Sequence, residues 1–197
     1  MESKVDLLNA LKQEIESNDA LPLVGSANLV FGEGDANARV MFIGEAPGRN
    51  EDLLKRPFVG RAGKLLDEAL KEIGWPRESV YITNIVKRRP PDNRDPFPDE
   101  IEAYKPYLTR QIEIINPSLI ATLGRFSMNY FVPSAKISRD HGQPLRVNSR
   151  VIMPLYHPAA ALRSTAMMNE FKKDFKKLPA VLRKVLSLGG VKEQKTV

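Results

Sequence analysis

Cysteine is missing from all 197 residues, histidine occurs twice and tryptophan once. Without a thiol the chain can form no disulfide, no thiolate zinc site and no cysteine-ligated iron–sulfur cluster. The two histidines, His141 and His157, stand too far apart for a helical HxxxH pair, so no metal site is expected. Long apolar runs are missing too: no stretch approaches the ~18 residues that span a bilayer. The acidic opening MESKVDLLNA lacks the basic, then apolar, layout of a signal peptide. A soluble, intracellular, cytoplasmic protein is therefore expected. Acidic charge is in deficit. Thirty lysines and arginines against 24 acidic residues leave +6, which suits an anionic partner, either nucleic acid or a membrane surface.

What is present is enough for a core: 42% of residues are hydrophobic and only 27% charged, which excludes general disorder. The length predicts a single domain over 1–197, with a loose tail over about 189–197, where VKEQKTV follows the Gly189–Gly190 pair. Val5, Leu8, Leu11 and Ile15 recur at three- and four-residue steps and predict an amphipathic helix ending near Ser17 to Asp19. Val40 to Ile43 is a short continuous apolar run, as in a strand buried on both faces. GEAPGRNEDLLKRPFVG, with its glycine and proline breaks, reads as mostly loop.

Leu65, Leu66, Ala69, Leu70 and Ile73 form one helical stripe closed by Gly74. A strand over Val80 to Val86 follows, then a helix from Asp99 to about Ile115, the strand SLIATLG, a short helix near Phe126 to Phe131 and the strand RVIMPL. A lysine-rich terminal helix is interrupted at Pro179. Strands alternating with helices predict an α/β fold, a three-layer α/β/α sandwich around a mostly parallel sheet of about four strands. In such a sheet the site lies beyond the carboxyl ends of the strands. Three segments fall there: GEAPGRNED, Asn84 to Arg94, and YHPAAALR. GRAGKL invites a phosphate-loop reading but lacks the full spacing, the Ser/Thr and a strand before it.

Taken together, GEAPG with ED, RPFVGRAGKLLD, VYITNIVK with RPPDNRDP, and PLYHPAAALR resemble the uracil-DNA glycosylase superfamily, and within it family 4, the thermophile-type enzymes. The resemblance runs in order from about Phe31 to Leu178. It implies a DNA-repair enzyme that hydrolyses the N-glycosidic bond of uracil to leave an abasic site, as a monomer on single- or double-stranded DNA and away from membranes. Family 4 carries a [4Fe–4S] cluster on four cysteines. The positions corresponding to them here are Ser17, Ala20, Arg88 and Tyr104, so no cluster and no other cofactor is expected.

Base excision requires a flipped base held in a fitted pocket. Phe58 resembles the aromatic on which uracil stacks. Asn84 ends an apolar strand where another hydrophobic residue would be ordinary, and its carboxamide matches O4 and N3–H of uracil while mismatching cytosine. His157 is placed to donate to uracil O2 as negative charge gathers on the leaving ring, whereas His141 reads as a surface histidine. Gly44 and Ala46 shape the pocket wall. Glu45 is the first candidate for positioning water, with Glu51 and Asp52 as alternatives that could instead cap the next segment.

Lys87, Arg88, Arg89 and Arg94 flank the Asn84 loop as candidate phosphate contacts. Leu162 and Arg163 resemble the loop that fills the gap left by the flipped nucleotide. Lys172, Lys173, Lys176 and Lys177 suit a solvated helix face as well as they suit DNA. No lysine stands out as a Schiff-base nucleophile, so strand cleavage is not expected. A non-catalytic DNA-binding relative, or a glycosylase for another deaminated base such as hypoxanthine, are the alternatives.

Overall fold

The computed structural model describes residues 2–190. Its strands are β1 (Glu33–Gly34), β2 (Val40–Gly44), β3 (Tyr81–Asn84), β4 (Leu119–Leu123), β5 (Leu145–Val147) and β6 (Arg150–Leu155). They form one six-stranded sheet in the order β1-β3-β2-β4-β6-β5. The four central strands are parallel, and β1 and β5 add antiparallel edges. The expected four strands are this centre. The edges escape sequence reading because two or three residues, exposed or half-buried, carry no hydrophobic pattern.

The helices are α1 (Lys4–Ser17), α2 (Arg49–Leu54), α3 (Arg61–Glu72), α4 (Pro98–Ile115), α5 (Arg125–Phe131), α6 (Ile137–Asp140), α7 (Pro158–Ala161), α8 (Thr165–Phe175) and α9 (Leu178–Gly190). Because side chains alternate along a strand, Met41 and Ile43 of β2 face one way and Val40 and Phe42 the other. Met41 and Ile43 join Leu8 and Leu11 of α1 and Leu108 and Ile112 of α4. Val40 and Phe42 join Leu66 and Leu70 of α3 and Phe171 and Phe175 of α8. The rings of Phe42 and Phe175 stack at 5.5 Å. Helices thus cover both faces, and each such buried side chain contributes roughly 1.5 to 3 kcal/mol.

The segment after β2 is mostly loop but holds the short α2, whose Glu51 and Asp52 complement the positive end of a helix. Two expectations need correction. The strand read as Val80 to Val86 is confined to Tyr81–Asn84. The last helix continues through Gly189 and Gly190, where the tail was expected to begin, and 191–197 lie outside the described residues. The break near Pro179 stands. α8 ends at Phe175, and Pro179 sits in the first turn of α9, where a missing N–H is harmless. Among the described residues no helix is long and apolar enough to cross a membrane.

From central β2 the chain crosses to β3 on one side and later to β4 on the other. Their carboxyl ends therefore diverge at a topological switch point, where a crevice opens. Gly44, Asn84 and Gly124 stand at or just past those ends.

Candidate active site

The crevice is a cavity of about 520 Å³. Glycines behind it let its lining residues approach one another. A Cβ on Gly44 would overlap both the Asn84 carboxamide oxygen and the Phe58 ring, so the two approach only because that side chain is missing. Gly63 serves the same loop, since a Cβ there would run into the Phe58 carbonyl. Phe58 itself adopts φ +49°, a left-handed conformation that is costly for a bulky residue and concentrates at functional sites. It is held by Glu51, whose Oε1 accepts from the backbone N–H groups of Val59 (2.9 Å) and Gly60 (2.7 Å).

Asn84 is 2% exposed, and its Oδ1 is buried with no hydrogen-bond partner. Leaving such an acceptor unpaired costs about 1 to 3 kcal/mol, and the side chain lines the cavity. His157 caps the start of α7. Its Nδ1 accepts from the Ala159 N–H at 3.1 Å, which assigns the ring proton to Nε2. Burial pushes its pKa down to about 4, so the imidazole is neutral near pH 7 and still has one N–H to donate. Gly124, at φ +93°, admits the ring: its Cβ would stand 3.1 Å from that of His157. The Phe58 and His157 rings lie 5.7 Å apart, centroid to centroid.

Glu45 lines the same cavity beside Ala46. Burial, reinforced by the charge of Asp95 and opposed by Arg125, pushes its pKa up to about 7. Glu51 is occupied with the Phe58 loop and Asp52 with the Asn28 N–H at 2.7 Å. Among the three carboxylates, Glu45 is the one without such a tie to backbone.

A family model described as Uracil DNA glycosylase superfamily matches residues 31–183. The chain belongs to the uracil-DNA glycosylase superfamily. It is 45% identical over 187 residues to the Type-4 uracil-DNA glycosylase of Sulfurisphaera tokodaii, covering 88% of this chain and 84% of that protein. The protein of the same name from Thermotoga maritima is 40% identical over 192 residues, 93% and 99% of the two chains. That from Archaeoglobus fulgidus is 47% identical over 160 residues, 77% and 80%.

Against this superfamily fold, the expected DNA-contacting residues divide. Arg94 and Arg163 line the cavity. Arg94 is braced by a two-bond pair with Glu100 (2.9 and 2.6 Å) and lies over the Phe97 ring. Arg89 is half-buried and donates to Asn93. Leu162, 39% exposed, follows α7 next to Arg163. Lys87 and Arg88 do not belong with them. Lys87 is fully buried, bonded to Thr83, Asn84 and Gln111, and Arg88 is buried with one N–H on the Ala27 carbonyl. Neither lines the cavity, and each points into the core.

The terminal lysines pair with Glu72, Glu170 and Asp174, as a solvated helix face does. His141 is not a plain surface residue: its Nδ1 meets Asp174 Oδ2 at 2.5 Å, and its ring lies 4.5 Å from that of Tyr156. His141, Glu170 and Asp174 offer ligand atoms within 4.8 Å of one another. Asp174, however, already bonds the Lys177 ammonium at 2.6 Å through its other oxygen, the pattern of a salt-bridge network rather than of a metal centre.

The cluster that the family-4 resemblance implies does not fit the residues present. Ser17 and Ala20 are exposed, and Tyr104 is buried with its hydroxyl on the Pro22 carbonyl at 2.7 Å. Burial pushes the phenol's pKa up to about 12, with the charge of Arg88 opposing it. None of the four positions offers a thiolate, and two are spent on backbone carbonyls.

Sequence reading missed the Glu51 clamp, the Asp95–Arg125 ion pair (2.7 Å) on the cavity wall and Gln111. Gln111 had a signal. It falls on the apolar stripe of α4 with Tyr104, Leu108 and Ile115, where a carboxamide is out of place.

Proposed function

We propose that the chain removes uracil from DNA by hydrolysing its N-glycosidic bond. The observation that carries this reading is the Asn84 Oδ1, unpartnered among the described residues, beside Phe58 and a neutral His157. In this reading the flipped ring stacks on Phe58 while Asn84 accepts from N3–H and donates to O4, a match that cytosine inverts. The C1′–N1 bond breaks and its electron pair leaves with the base. His157 Nε2–H donates to O2 as the anion forms, a preorganised interaction of the kind typically worth ~2.7 to 4 kcal/mol. Ionised Glu45 orients water towards the oxocarbenium-like sugar and takes its proton, completing an abasic site. Arg89, Arg94 and Arg163 steady the phosphates, and Leu162 fills the space the base vacates. No step needs a cluster or another cofactor, and DNA is cut only when alkali is added.

The test is incubation with oligonucleotides carrying uracil or hypoxanthine, single- and double-stranded, followed by alkali. Alkali-labile product from the uracil substrates is expected. A folded protein that binds these oligonucleotides and yields none would be a binding relative instead, and preferential release of hypoxanthine would reassign the pocket.

A further inference from the structure

Lys87 is among the largest side chains that are fully buried. Among the described residues no carboxylate bonds it. Its Nζ lies 2.6 Å from Thr83 Oγ1, 2.9 Å from the Asn84 carbonyl oxygen and 2.6 Å from Gln111 Oε1. Each partner is fixed as an acceptor by what it does elsewhere. The Thr83 hydroxyl donates to the Phe31 carbonyl at 2.8 Å. The Gln111 amide nitrogen donates to that same carbonyl at 3.0 Å and to the Tyr81 hydroxyl at 3.2 Å. Three acceptors require three N–H groups, which only the ammonium has. Burial drives the pKa of this amine well below the ordinary lysine value, so the network holds a proton against a desolvation cost that an apolar side chain would not incur.

That expense falls where the site needs rigidity. The parallel ladder between β2 and β3 ends at the Gly44–Asn84 pair, and the next N–H groups, of Ile85 and Val86, turn to the Gly44 and Glu45 carbonyls. The Asn84 carbonyl accepts from the Lys87 ammonium at 2.9 Å. The Asn84 Oδ1 has no partner among the described residues, so the direction of the carboxamide depends on its backbone and on the close approach of Gly44 and Phe58.

We propose that Lys87 is a positioning residue for base recognition: by gripping the Asn84 carbonyl, with Thr83 and Gln111 as counter-anchors, it aims the Asn84 carboxamide into the pocket. The inference rests on the uracil-excision reading. A carboxamide that must meet N3–H and O4 together tolerates little rotation, and a displaced reading group loses rate with the reacting centre itself intact.

The experiment is a double-mutant cycle on single-turnover uracil release, comparing the parent, Lys87→Met, Asn84→Ala and the double variant. Methionine keeps the length of the stem and removes the charge. Lys87→Met is expected to slow release about tenfold or more, the order for one or two lost hydrogen bonds, with oligonucleotide affinity within about twofold of the parent. In the Asn84→Ala background the same change is expected to cost no more than about twofold, because Lys87 acts through a group already removed. A purely structural lysine would cost the same in both backgrounds. Release at the parental rate in Lys87→Met, or losses that multiply, overturns the assignment while leaving the activity standing. A parent that releases no uracil overturns the reading of the activity and this inference with it. If Lys87→Met does not fold, Gln111→Met loosens the same anchor from its far side, and the same cycle with Asn84→Ala decides by the same criterion.

Discussion

The protonation state of Glu45 should govern the pH dependence of base release. Its pKa is pushed up to about 7, first by burial and then by Asp95, while Arg125 works in the opposite direction. If the ionised carboxylate takes the water's proton, kcat/KM tracks the ionised fraction, which for such a pKa is about 0.1 at pH 6 and about 0.9 at pH 8. The rise between those values should be about tenfold, with a plateau above. His157 adds no second limb in this window, because its pKa of about 4 keeps it neutral throughout. Glu45→Gln should abolish the limb and lower the plateau. Asp95→Asn should move the midpoint down, since a charge that raises the pKa is gone, and Arg125→Gln should move it up.

The stability sign is the reverse of the activity sign. A carboxyl whose folded pKa lies above its unfolded value stabilises the fold fully below pH 4.5, and that contribution is lost as pH rises through 7. Glu45→Gln should therefore melt above the parent at pH 8. The assay is uracil release at constant ionic strength from pH 5.5 to 8.5, plotted as kcat/KM so that it reports the free enzyme. A flat parental profile, or a limb that persists in Glu45→Gln, refutes the role.

His157→Ala should slow single-turnover release by roughly 10² to 10³ with DNA affinity nearly unchanged, since the donor acts mainly on charge formed in the transition state; equal losses in both would mark a structural histidine. Asn84→Asp presents lone pairs to O4 of uracil, so uracil release should fall at least about tenfold, each tenfold being ~1.4 kcal/mol; a parental rate would make Asn84 a turn residue. Binding to duplex DNA should weaken with salt. Arg94→Gln and Arg163→Gln should each reduce the log-log slope by about 0.9, whereas Arg88→Gln should leave it alone. A reduced slope in Arg88→Gln would mean that the buried guanidinium reaches phosphate after all.

How much of this was legible depended on whether a residue's meaning lay in its neighbours along the chain or in the third dimension. Phe58, Asn84 and His157 each stand in a local pattern, a glycine-broken loop or the polar end of an apolar strand, and the structure gathers them around one cavity. Gly44 does not itself line the cavity, and the overlap that a Cβ there would make with Asn84 and Phe58, which do line it, has no signature along the chain. Lys87 and Arg88 misled because charge is visible in sequence and burial is not. VYITNIVK continues past the strand end, and the turn at Ile85 and Val86 takes the next two basic side chains inward. Glu51 misled in the same way, since its bonds run to residues eight and nine positions on.

The missing cluster and the candidate site are linked by this same network of polar contacts. Residues 18–32 contain no helix or strand, and a segment of that kind needs ties to the core, because its own backbone bonds do not order it. Besides the Val30 N–H on the Lys87 carbonyl and the buried Leu29 and Phe31, several of the ties here are polar side chains. Asn18 donates to the Tyr107 hydroxyl at 2.9 Å, the Tyr104 hydroxyl reaches the Pro22 carbonyl, and the Arg88 guanidinium reaches that of Ala27. One residue further on, the Asn28 N–H bonds Asp52 in α2, the helix whose Glu51 clamps the strained Phe58 loop. Two of these ties come from Arg88 and Tyr104, positions at which the family-4 resemblance implies cysteine. Net contributions of about 0.5 to 1.5 kcal/mol per neutral hydrogen bond, and about 1.5 to 3 for one to a charged group, make several such ties together comparable with a single strong cross-link. The segment is therefore anchored at several points rather than one, and the helix that holds the Phe58 loop is braced without a metal centre.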